Sequence, residues 1–134
     1  MKGIYFILVL LISVKFETSH CLGEEFKEAN FLFVNGRKNT DNVIVEFNNT
    51  KQLLQHPDFH HDRDTMLYCY GYTEDYNADS TQLIVDAYLW RNDHNILVLQ
   101  WSKYSVGNYI LQAVPNTVQV SVVVNIIRLF VINN

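Results

Sequence analysis

The sequence predicts an α/β domain, and three observations carry that reading. An aromatic, apolar run, "TMLYCYG" (65–71), reads as a buried strand that stops at a glycine. Residues 79–90 follow with apolar side chains at helical spacing. "ILVLQW" (96–101) is apolar at every position but Gln100, as a strand covered on both faces is. Strand, helix and buried strand in succession make a βαβ unit, whose two strands are expected to run parallel.

The chain has 134 residues, enough for one domain. Its start has the three-part layout of a secretory signal peptide: Lys2, an apolar run over 4–14 broken only by Ser13, and the polar "KFETSHCLG". The run is too short to cross a bilayer. Small residues at 21 and 23 place cleavage after Gly23, with a cut after Cys21 as the alternative. The expected product is a secreted domain over 24–134. It carries eight basic and thirteen acidic residues, a net charge of −5, with no basic stripe to neutralise phosphates. That argues against a nucleic-acid partner. Either cut removes Cys21 and leaves Cys69 alone, so a disulfide scaffold is excluded. Cys69 lies within an apolar run and reads as a buried, inert thiol. The sequon Asn48-Asn49-Thr50 predicts a glycosylated surface loop at Asn48.

The remaining elements follow in order. In "NFLFVNG" (30–36), Phe31 and Phe33 alternate with Leu32 and Val34, a buried strand closed by an Asn35-Gly36 turn. "NVIVEF" (42–47) is a second short β-branched strand. Residues 51–64 are polar and histidine-rich and read as a short helix or loop. The helix over 79–90 puts Leu83, Ile84, Ala87 and Tyr88 on one face, with Asp79 as N-cap and Gln82 as its capping-box partner. Residues 105–117 suit a helix that breaks near Pro115. From 118 to 126 the apolar residues recur every second position, which by propensity is a strand. With Gln119, Asn125 and Arg128 inside, this tail is a poor transmembrane candidate.

These elements carry a resemblance. "FLFVNGRKNTDN", "TMLYCYGYTED", "DAYLWRNDHNILVLQW" and "NYILQAV" occur in the order and spacing of the pancreatic-lipase family of α/β-hydrolases, the secreted lipases and type A1 phospholipases. The match covers roughly residues 28 to 120, and its third segment, similar to "AYL-x-R-x-D-x-N-V-I-x-x-D-W", is the most specific. The resemblance implies hydrolysis of carboxylic esters of glycerolipids, with no cofactor and a lipid or ester substrate. It also implies an early-strand portion of a hydrolase-type sheet. Ester hydrolysis passes through a tetrahedral oxyanion, held in this fold partly by a backbone N–H of the loop after the third strand. That donor maps onto the N–H of Tyr72, with Gly71 permitting the close turn.

Departures from the family pattern are equally specific. Tyr70 stands where the family has histidine, and Gln100 where it has aspartate before Trp101. No G-x-S-x-G pentapeptide occurs around any of the glycines at 3, 23, 36, 71 and 107, so nucleophile, acid and histidine are all missing. The expectation is a chain cut short before the nucleophile elbow and inactive alone. A non-catalytic homologue, a secreted binding or storage protein like the family's yolk-protein branch, is the alternative. Three rival constellations are weaker. His56 and His60 stand four apart with Asp62 and Asp64 near, but Pro57 lies between them and no H-E-x-x-H pattern forms, so a solvated loop is favoured over a metal site. Ser105 with Asp93 and His94 lacks the elbow glycine, since Lys103 occupies its place. Tyr68, Tyr70, Tyr72 and Tyr76 read as sheet packing with hydroxyls at a polar edge.

Overall fold

The computed structural model describes residues 29–35 and 42–132. The signal segment and Gly36 of the predicted turn lie outside the described residues. Four strands, β1 (Asn30–Val34), β2 (Val43–Glu46), β3 (Asp64–Cys69) and β4 (His94–Gln100), form one sheet in the order β2-β1-β4-β3. Its helices are α1 (Thr50–Leu54), α2 (Asp79–Arg91) and α3 (Val114–Ile132), the last preceded by a π-helical turn, Tyr109–Ala113. The α/β class holds.

The βαβ unit forms as expected: β3 and β4 run parallel, Met66 beside Ile96 and Tyr68 beside Val98, with α2 crossing between them. The sheet as a whole is mixed, because β1 is antiparallel to both β2 and β4. Successive side chains of a strand point to opposite faces. Ile96, Leu97, Val98 and Leu99 are all at most 2% exposed, so β4 is covered on both sides. Phe31, Leu32, Phe33 and Val34 in β1 are buried in the same way. The core lies along these two central strands, with Leu53, Phe59, Val85 and Val120 packed against them.

Helix α2 departs from expectation in its face and its cap. Thr81 and Val85 are fully buried, Tyr88 and Leu89 half-buried, while Leu83 is 73% exposed. Apolar residues surround this helix, so the face that periodicity picked is not the one that packs. Thr81 and Val85, both compact, are the ones seated inward. Ala78 is the N-cap and Asp79 the first helical residue, so the predicted capping box is absent. Gln82 instead sends its side-chain amide to the Tyr76 carbonyl. At the other end Asn92 closes the helix in the left-handed conformation (φ 54°), its N–H on the Tyr88 carbonyl at 3.1 Å.

The tail is a helix, not the strand its alternation predicted. Ala113, Val120 and Val124 are buried along one helical stripe, so the segment satisfies a helical period as well as a period of two. Asn108 caps the start, its Oδ1 accepting the N–H groups of Ile110 (3.1 Å) and Leu111 (2.9 Å). Thr117 and Ser121 bond back to the carbonyls of Val114 and Val118, as hydroxyl side chains do within helices. The irregularity expected near Pro115 is the widened turn just before it, which accommodates a ring with no N–H to donate. Among the described residues, no helix is long and apolar enough to cross a membrane.

Candidate functional site

The loop after β3 is built on Tyr70. Its side chain is buried, 1% exposed, and its hydroxyl lies between the ends of β3 and β4. The N–H groups of Trp101 (2.8 Å) and Ser102 (3.1 Å) both donate to it. With both phenol lone pairs so engaged, its own proton points to Ser102 Oγ at 2.7 Å. The Trp101 indole N–H returns a bond to the Tyr70 carbonyl at 3.0 Å. Tyr70 is therefore a clamp joining two parallel strand ends, which a buried aromatic with a polar tip is suited to be. Gln100, the other departure, ends β4 opposite Asn30 of β1 and is half-buried.

Beyond Tyr70 the chain makes a tight turn, the Glu74 N–H reaching the Gly71 carbonyl at 3.3 Å. The left-handed residue of this turn is Thr73 (φ 61°), not Gly71. A β-carbon at Gly71 would meet Glu74 Oε2 at 3.1 Å, so the glycine makes room for a carboxylate. That carboxylate accepts the Gly71 N–H at 2.8 Å and the Ser80 hydroxyl at 2.6 Å. These bonds, Ser80 first and Gly71 second, hold Glu74 below the ordinary glutamate value. The Thr73 N–H is taken by the Ser105 carbonyl at 3.0 Å. Between these two occupied amides lies that of Tyr72, the one the resemblance implies as a donor. Among the described residues it has no protein partner. The Tyr72 ring stands edge-on to Tyr109 with centroids 5.0 Å apart, and its hydroxyl donates to the Gly107 carbonyl. A shallow groove of about 340 Å³ adjoins this contact, lined by Lys103, Val106, Leu111, Gln112 and Pro115. Gly107 needs its missing side chain: φ is 87° and Gln112 packs over it.

The rival constellations separate in space. His94 begins β4 and Ser105 lies beyond its end, and six residue steps of strand span about 20 Å. Asp93 is bound to Arg91 at 2.8 Å and to His94, which hold its carboxyl down to about 2, and the His94 ring packs against Tyr88. Ser105 is buried with its hydroxyl on the Ser102 carbonyl. His56 and His61 stack edge-on against Phe33 and Phe59, and among the described residues no group of three or more metal-ligating side chains gathers. Tyr76 accepts the Asn42 side-chain amide. Cys69 is half-buried rather than fully buried, yet desolvation still pushes its thiol up to about 12, so it stays protonated at neutral pH. Asn48 falls in a 3₁₀ turn, Phe47–Asn49, rather than in an open loop.

Glu74, Ser80, Thr73 and Ser102 had no part in the reading of the sequence. Their contacts join residues up to 32 positions apart, and no local pattern announces them. No known protein-family model matches the chain, and no curated protein or solved structure was found that does.

Proposed function

We infer that this chain is a secreted protein of the pancreatic-lipase type, holding the oxyanion-loop half of an ester-hydrolysing site. The observation that carries the reading is the Tyr72 N–H, without a partner among the described residues, in the loop between a third strand and its helix. That is where α/β-hydrolases place one oxyanion donor. The order of motifs along the sequence supports it. The donor needs a serine nucleophile opposite it, and none of these 134 residues forms the required elbow. The chain by itself should therefore not hydrolyse esters.

Two measurements test this. The transcript should continue in frame into a G-x-S-x-G pentapeptide. Purified protein of these residues should show no ester turnover that a serine-reactive phosphonate blocks, and phosphonate-sensitive turnover would overturn the assignment of an incomplete site. A stop codon after Asn134 with stable secreted protein would instead favour the second reading, a non-catalytic binding or storage homologue. Tyr70 favours that reading too: its hydroxyl is wholly engaged with Trp101 and Ser102, leaving nothing to offer a substrate.

A further inference from the structure

We propose that Glu74 is a built-in occupant of the loop, a carboxylate latch that keeps the Gly71 N–H from any external acceptor. The geometry supplies the argument. One carboxylate oxygen sits 2.8 Å from the Gly71 nitrogen and the other 2.6 Å from the Ser80 hydroxyl, tying the end of β3 to the first turn of α2. A β-carbon at position 71 would come within 3.1 Å of that oxygen, so any side chain there would push the latch aside by a few tenths of an ångström.

With the latch closed, the Gly71 amide is taken and that of Tyr72 has no partner among the described residues. With it open, Gly71 and Tyr72 would present two consecutive N–H groups to an external acceptor. That consequence for ligand binding rests on the lipase-type reading; the latch itself does not. Of the titratable groups, the Tyr68 phenol on β3 lies close enough to feel the Glu74 charge. Among the described residues no lysine or arginine pairs with it. A carboxylate bound in the folded state below its ordinary value stabilises the fold above its unfolded-state value and loses that effect as pH falls through the folded one. The latch therefore stays closed at neutral pH and opens only in acid below the usual glutamate range.

The test is amide NMR on the nitrogen-labelled protein. The Gly71 resonance should titrate in a single step below the ordinary glutamate range. At neutral pH its hydrogen exchange should be slowed roughly tenfold relative to Glu74→Ala, while Tyr72 exchange is unchanged. Ser80→Ala should shift the titration upward by freeing one carboxylate oxygen. A Gly71 amide that neither titrates nor exchanges faster in Glu74→Ala would overturn the latch. The titration needs only the unaltered chain, so it decides the question even if a variant fails to fold. Neither result bears on whether the transcript encodes a nucleophile elbow, so the two readings fail separately.

Discussion

Tyr70 shows how a residue's neighbours decide its role. Its burial follows from its place in an apolar run, but its function as a clamp depends on Trp101 and Ser102, 31 and 32 positions away. Tyr70→Phe keeps the ring and removes the acceptor, leaving two backbone donors unmet where little water reaches. We expect a loss of about 2 kcal/mol in stability, measured by urea denaturation. A loss below about 0.5 kcal/mol would mean water replaces the hydroxyl. Cys69 makes the opposite case, because its chemistry was legible from its surroundings in sequence. With its thiol pushed up to about 12, the folded protein at pH 8 should react with iodoacetamide far more slowly than the urea-unfolded chain. Equal rates would place the sulfur outside the core. What the sequence could not show was Glu74, whose importance lies entirely in a glycine three residues before it and a serine six after.

Among the elements, β1, β3 and β4 were legible because the stretches covered on both faces, Phe31 to Val34, Met66 to Leu67 and Ile96 to Leu99, are apolar at every position. Helices α2 and α3 were legible in part, for one shared reason: both carry apolar residues in excess of one face. In α2 this hid which stripe meets the sheet. Val85→Ala should cost about 2 kcal/mol, since its side chain is wholly buried. Leu83→Ala should change stability by no more than about 0.5 kcal/mol, since Leu83 faces solvent. The reverse ranking in a thermal melt would restore the face that periodicity suggested. In α3 the excess of valine and isoleucine gave a strand reading that the helical stripe through Ala113, Val120 and Val124 overrides. The Asn108 cap stabilises this helix's start, and Asn108→Ala should lower stability by about 1 kcal/mol, seen as an earlier melt.

At the scale of the whole molecule, two surfaces are left open by the described residues. β3 is an edge strand with one charged residue, Asp64, at its start, whereas the opposite edge, β2, is short and carries Glu46. Unprotected edges invite pairing with other chains. Ile110 and Leu111, each more than 70% exposed, add an apolar patch beside Val106 and Tyr109. The protein should therefore self-associate as its concentration rises, and lysine at both 110 and 111 should weaken this. Sedimentation velocity showing a monomer throughout would mean that the edge and patch are harmless. The strand order has a further consequence, for synthesis. β1 pairs with β2 almost at once but waits for β4, whose partner residues lie up to 70 positions later, as Asn30 opposite Gln100 shows. At ribosomal rates that interval is roughly 4–14 s. Throughout it, the nascent β1–β2 hairpin holds open the flank where the centre of the sheet will later seat, a window in which a chaperone, not the chain itself, is the natural cover.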